Sequence, residues 1–308
     1  MTPRVLVAGD ANLDLVLRGD VVPRFGQAEQ LLDAAELVLG SSAGICAAGL
    51  ARLGVETALV ARVGADAFGD RTRELLAEAG VDTDAVRVTA EPTGVSVILS
   101  APGDRAILTL TGALAGLTGA EVLAAAEGAD HVHVASFFLV PQLARELPAV
   151  LETLRSRGVT TSLDTNWDPA DRWLGVAECL PHVDVLLPNA AEAVALARTL
   201  GGDPADAVEA AELLAAHGPL VVVKDGADGG FAVSPEGVVR APGLRVDVVD
   251  TTGAGDSFDA GFLAAWLGGM PVAEAVRRAA IAGSLSTRGA GGTGGQATRA
   301  EVEAELGA

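Results

Sequence analysis

The chain has 308 residues, half of them hydrophobic, with 3% aromatic residues and no tyrosine. That length admits one large α/β domain or two small ones, with a core of mostly alanine, valine and leucine. A formal net charge of −20 argues against nucleic acid or an anionic membrane as a partner.

No apolar leader follows the initial Met-Thr-Pro-Arg, so no signal peptide is expected. The longest apolar stretch, around 260–270, is too short and too broken by glycine to span a bilayer. Cys46 and Cys179 are far apart and lack metal spacing, which fits reduced, partly buried thiols in a cytoplasmic protein.

Arg4 to Gly9 reads as a buried strand, and Asn12 to Leu17 alternates as a half-exposed strand does. Leu31 to Leu39 has no decisive period. A small-residue helix runs from Ala43 to Gly54, a strand from Thr57 to Val63, and a helix from Asp70 to its stop at Gly80. Gly94 to Leu99 and Ala106 to Leu110 are strands joined by turn chemistry over 101–104. Strand and helix then alternate. Strands are expected at 131–135, 160–163, 183–187 and 220–224, and helices at 142–158, 190–200, 205–217, 257–267 and 272–286. This rhythm is that of a doubly wound α/β domain with a mostly parallel sheet flanked by helices, one unit over 1–308. The segments near 12–39 and 93–111 lack intervening helices and read as a small accessory sheet.

The most informative string is Val249 to Leu263, in which a turn of small residues leads through Asp256 into an apolar helix. The N–H groups of Gly253, Ala254 and Gly255 are unobstructed by large side chains, and the helix adds its positive N-terminal end, so an anion fits there. Asp256 would meet a substrate hydroxyl at the same anion and take its proton. The plainer reading is a glycine-rich N-cap with an acidic residue in the first turn.

From Asp250 to Leu263 the string resembles the signature of the ribokinase family, also called PfkB-type carbohydrate kinases, including the small pair Ala260-Gly261. The resemblance extends over nearly the whole chain. It implies a ribokinase-like fold with a β-sheet lid over a sugar site, a lid often used for dimer contacts. It implies ATP and Mg²⁺, Asp256 as catalytic base, and Gly253, Ala254 and Gly255 as the anion hole, with Thr252 and Gly255 bordering the nucleotide. Because ATP is an anion, such a site must offset the negative field of the chain locally.

Other stretches carry the resemblance with departures. Asn12 and Asp14 match an Asn-x-Asp that holds sugar hydroxyls; otherwise they are polar residues of an edge strand. Gly40-Ser41-Ser42-Ala43-Gly44-Ile45 stands where the family usually has Gly-Gly-x-x-x-Asn, so Ser41 replaces a glycine and Ile45 an asparagine. A ligand hydroxyl against Ile45 would go unpaired at about 1–3 kcal/mol, so the substrate is not expected to bind as ribose does in ribokinase.

Asn189-Ala190-Ala191-Glu192 resembles an Asn-x-x-Glu that positions Mg²⁺ mostly through water, and is also a capping box in form. Lys224, the single lysine of the chain, opens a turn whose Gly226 and Gly229 would let the backbone lie along ATP. Its other reading is a solvated strand end, and Asp225 after it rules out a P-loop. Asp164 and Asn166 end another strand as candidate site-lining residues; Asp168 occupies the place of an arginine that relatives often carry, with Arg172 four residues on.

The G-x-G-x-x-G at 289–294 follows a helix instead of a strand and is no dinucleotide fingerprint. By resemblance this loop lies near the adenine and a monovalent-cation (K⁺) site beside Asp250. The four histidines lack partners at metal spacing. A nucleoside kinase or phosphosugar kinase of the same fold, or a non-catalytic sugar sensor, stays open; Arg18, Arg24 and Arg105 in the lid segments would serve a phosphosugar.

Overall fold

A computed structural model describes residues 3–101, 104–234 and 237–307. Strands β1 (Arg4–Ala8), β2 (Asn12–Gly19) and β3 (Leu32–Leu39) come first, followed by α1 (Ser42–Arg52), β4 (Glu56–Gly64), α2 (Ala67–Glu78) and β5 (Val86–Thr89). Next come β6 (Gly94–Ala101), β7 (Asp104–Leu110), α3 (Gly119–Ala125), β8 (His131–Val134), α4 (Pro141–Ser156) and β9 (Thr160–Leu163). Then follow β10 (Val185–Leu186), α5 (Ala190–Thr199), α6 (Ala207–Ala215), β11 (Leu220–Lys224), β12 (Gly230–Ser234) and β13 (Gly237–Ala241). Helices α7 (Ala254–Leu267), α8 (Val272–Ser286), α9 (Gly291–Gly294) and α10 (Arg299–Leu306) complete the order.

A nine-stranded sheet, ordered β13-β12-β11-β10-β9-β8-β1-β4-β5, is parallel from β11 through β5 and antiparallel at β12 and β13. A separate four-stranded sheet, β3-β2-β6-β7, is the expected lid. The large sheet is covered on both faces, and alternation feeds both cores. Val5 and Val7 of β1 join the cluster with α1, α7 and α8, whereas Leu6 and Ala8 join the one with α4, α5 and α6. With few aromatics, close helix packing does much of the filling: a Cβ on Gly261 of α7 would sit 2.8 Å from the Ala282 methyl of α8.

This is the ribokinase-like arrangement that the sequence implied. Differences are local. α2 starts at Ala67 because the Asp66 carboxylate accepts from Gly69 N–H at 2.9 Å and caps it early. The β12–β13 pair and α3 and α10 carry no strong period and were not anticipated. α7 begins at Ala254 instead of Ser257, which places Asp256 in its first turn. The turn expected over 101–104 is centred on residues 102 and 103, outside the described residues.

His131 and His133 share one face of β8, bonded to Thr160 and Ser162, and burial pushes them down to about 3 and about 4. They are neutral core residues. Both cysteines are buried and unpaired. Among the described residues no helix is long and apolar enough to cross a membrane.

The topology fixes where chemistry can occur. Asp10 after β1, Asp164 after β9, Asn189 after β10 and Lys224 at the end of β11 all emerge at the carboxyl edge of the parallel strands.

Candidate active site

At that edge Gly253 turns the chain into α7 with φ 70°, and a Cβ there would lie 2.8 Å from Gly292 and 2.9 Å from the Ile45 side chain, so only glycine suits the turn. Ser257 N–H closes it on Gly253 O at 2.9 Å. The first-turn amides lack intrahelical acceptors. Ala254 N–H donates to Thr251 O at 3.3 Å, whereas the amides of Gly253 and Gly255 have no protein acceptor among the described residues.

Gly253, Ala254, Gly255 and Asp256 line a cleft of about 940 Å³ together with Asp164, Asn189, Glu192, Lys224, Gly226 and Gly229. The Ser42 hydroxyl donates to the Asp256 carboxylate. Burial and then the Asp164 charge push Asp256 up to about 7, against the Ser42 bond and the Lys224 charge. A base poised there suits proton removal near neutral pH.

Lys224 is not a solvated strand end. Its ammonium is buried between Asp164 Oδ2 at 2.8 Å and Asp259 Oδ2 at 3.0 Å. Burial alone would lower its pKa, but the two carboxylates raise it, so it stays charged. Burial drives Asp259 well above the ordinary carboxylate range, whereas at Asp164 burial is overcome by the Lys224 charge together with hydrogen bonds from Asp259 and Lys224, and its pKa is held low.

Asn12 and Asp14 belong to β2 of the small sheet, both buried, and neither lines the cleft of about 940 Å³. Asn12 Nδ2 donates to Asp14 Oδ1 at 3.1 Å, and Ser96 stands beside Asn12 at 3.5 Å. Burial, then the Asp10 charge, pushes Asp14 up to about 7. Gly40 is required here, because a Cβ on it would lie 2.1 Å from Asp14 Oδ1. Ser41 adopts φ 66° and ψ 137°, a conformation natural to the glycine it replaces, and its hydroxyl accepts from Gly44 N–H at 3.1 Å to cap α1. The Ile45 side chain is buried against Gly253 and Gly292, so the residue in the asparagine's place braces the turn at Gly253.

Asn189 and Glu192 form the capping box, with N–H to carboxylate and amide oxygen to N–H contacts of 2.9 Å each. Burial, followed by the Asp164 charge, pushes Glu192 up to about 7. A buried carboxylate on the cleft wall fits a divalent cation, which would hold it ionised. Asp250 fits a cation at its carboxylate poorly: it accepts from Thr252 N–H at 2.9 Å and Gly291 N–H at 3.0 Å, and the Arg18 guanidinium faces it at 3.5 Å. Thr252 lies beside the cleft instead of lining it, and its hydroxyl accepts from Arg105 of β7 at 2.9 Å.

The 289–294 loop adjoins Asp250, whose carboxylate accepts from Gly291 N–H at 3.0 Å, and does not line the cleft. Arg172 is exposed, and Asp168 staples its own loop by accepting from Ala170, Arg172 and Trp173 N–H at 2.7–2.8 Å. Several contributors had escaped the sequence reading. Asp10 accepts from Ala43 N–H at 2.9 Å, the Ser42 hydroxyl donates to Asp256, and Asp259 holds Lys224. The flat end of the cleft is made by Leu244, Val246 and Val248 against Ala280, Gly283 and Ser284 of α8. The i, i+3 spacing of Ala280 and Gly283, like that of Asp256 and Asp259, was the available signal.

A basic side chain, helix amides and a poised carboxylate around one cleft define an enzyme that moves a phosphoryl group to an alcohol. The comparisons agree: residues 3–299 match the pfkB family carbohydrate kinase domain, and the chain belongs to that family of sugar kinases. An ATP-dependent ribose-1-phosphate kinase of Halopiger xanaduensis is 36% identical over 290 residues, covering 92% of this chain and 91% of its own. The Bacillus subtilis ribokinase is 32% identical over 302 residues, covering 97% and 98%. The structure of Arabidopsis thaliana ribokinase complexed with ribose and ATP superposes with a TM-score of 0.83 at 27% identity, covering 99% of both chains.

Two outcomes are expected. Gly40→Ala should displace Asp14 and cost about 1–3 kcal/mol of stability, measured by denaturant unfolding; an unchanged midpoint would contradict the contact. Asp14 and Asp256 are raised to about 7 from 3.8, so above the unfolded range the folded protein binds protons that the unfolded chain releases. Stability of the ligand-free enzyme should therefore rise as pH falls from about 8 to about 6.5, before the buried histidines begin to oppose it. A thermal midpoint that drops over that interval would contradict the assignment.

Proposed function

We propose that this enzyme transfers the γ-phosphate of ATP to a sugar hydroxyl, with Asp256 as the base. The observation that carries this reading is the convergence of Asp256 with the Gly253 and Gly255 amides on one cleft. The adenine lies in the slot between Leu244 and α8, and the phosphates run past Asn189, Gly226, Gly229 and Lys224 to the mouth of α7. Asn12 and Asp14 hold acceptor hydroxyls, with Gly40 and Ser41 shaping that wall and Asp164 closing the floor. The acceptor oxygen bonds to the γ-phosphorus as the bond to the bridging oxygen of ADP breaks, and its proton passes to Asp256. Ser42 keeps the carboxylate aimed. Glu192 would hold Mg²⁺ through water, and the metal supplies neutralisation of the phosphate charge. The reading needs no monovalent cation at Asp250, whose carboxylate is already met.

Ribose and ribose 1-phosphate are the first acceptors to test, because relatives bear those names. The phosphorylated acceptor is favoured by Arg105, which reaches from the lid to Thr252 and lies close enough to Asp14 to lower its pKa. ADP release measured across pentoses, hexoses, nucleosides and sugar phosphates separates these; silence with every acceptor would favour a sensor. Asp256→Asn should keep nucleotide binding by calorimetry and lose about 10²–10⁴ in turnover. Near-normal turnover would sink the base assignment.

We also place the enzyme in the cytoplasm, where ATP and two unpaired thiols are at home, and pair it with a second copy through the lid. Leu32, Leu37, Ile107, Leu108 and Leu110 leave 40–60% of their surface exposed on that small sheet. Leu108→Asp should yield a monomer by light scattering, and a wild-type monomer would refute the pairing.

A further inference from the structure

Lys224 does more than border a nucleotide. Its stem lies along the anion-hole turn, with Cδ 3.4 Å and Nζ 3.9 Å from where a Cβ on Gly255 would sit. Its ammonium is held at 2.8 and 3.0 Å by carboxylates from two elements, Asp164 after β9 and Asp259 in α7. Asp259 lies one helical turn beyond Asp256, on the same face. All three side chains are nearly closed to water, at 11%, 1% and 1% exposure, so charge there acts through a poorly screening medium. Buried carboxylates outnumber the ammonium, and a lysine with two partners cannot swing out to meet a ligand without abandoning both.

We propose that Lys224, clamped by Asp164 and Asp259, is a positioning residue for phosphoryl transfer: its stem seats Gly255 and its charge keeps the neighbouring Asp256 in its proton-accepting form. The inference rests on the base assignment above, but it concerns a different pair of groups. The charged neighbours of Asp256 act in opposite senses. Lys224 from β11 favours its ionised form, whereas Asp164 after β9 and Asp10 after β1 disfavour it. Burial raises both Asp259 of the same helix and the Cys46 thiol of α1 well above their ordinary values.

The test reads the Asp256 carboxyl directly, by carbon-13 NMR titration of the ligand-free enzyme, assigned by its absence in Asp256→Asn. Lys224→Met should raise its midpoint by about one pH unit or more, a tenfold loss of the ionised fraction on its acid side. Asp164→Asn should lower it, the double variant should return toward wild type, and Lys224→Arg should hold it. A support role without charge coupling predicts no movement, or movement of both single variants in one direction, and either result overturns the proposal. If Lys224→Met does not fold, Asp164→Asn decides alone, and an unmoved midpoint counts against the proposal. Turnover with ribose or ribose 1-phosphate separates the two readings. An active Asp256→Asn enzyme removes the base while leaving the titration intact; an inactive one with unshifted midpoints removes only the role of Lys224.

Discussion

A chain of net charge −20 that must receive a polyanion faces one governing constraint: negative charge at the cleft has to be suppressed where it is not used. Asp10, Asp14, Asp164, Asp256, Asp259 and Glu192 all lie at or beside the site, with the protein's one lysine among them. Were all six ionised, the phosphates would meet a repulsive wall. Burial changes that, because desolvation penalises the charged form. Five of the six are pushed up, and only Asp164, held by Lys224, is pushed down. The carboxylates remain available as hydrogen-bonding and proton-accepting groups without presenting their full charge at once.

That solution depends on the sheet. Parallel strands deliver their carboxyl ends to one edge, and four of them, β1, β9, β10 and β11, contribute a polar residue at or just after the tip while the buried bodies feed both cores. α7 then enters from the other side with its unpaired amides facing the same edge. The cleft is a consequence of strand order and of one helix start, and the lid adds Arg105 and Arg18 above the loop at 250–252.

Much of this was legible in the chain because it is local. A turn of small residues before an apolar helix has one geometry, and Asp256 follows from it. Strand-then-helix periodicity gave the large sheet. What escaped was what depends on burial between distant segments. Lys224 at a strand end looks the same whether solvated or clamped, since Asp164 and Asp259 are 60 and 35 residues away. Asp259 inside an apolar helix and Ser42 at a helix start have ordinary local explanations. β12 and β13 are held as a ladder on β11 and need no strong period of their own. The Asp168 staple shows the converse: a residue singled out by its place in a motif proves to serve only its own loop.

The departures at 41 and 45 explain each other once placed in space. Ser41 holds a glycine-like backbone and compensates by capping α1, the helix whose first residue, Ser42, donates to Asp256. Ile45, one turn further along α1, gives up an amide and in return packs against Gly253 and Gly292, where any larger residue would clash. An alkyl group there fills the space against the turn at Gly253. The two halves of the site are mechanically joined through α1, yet their side-chain chemistry can change separately, and for that reason the reaction is easier to read from this chain than its acceptor.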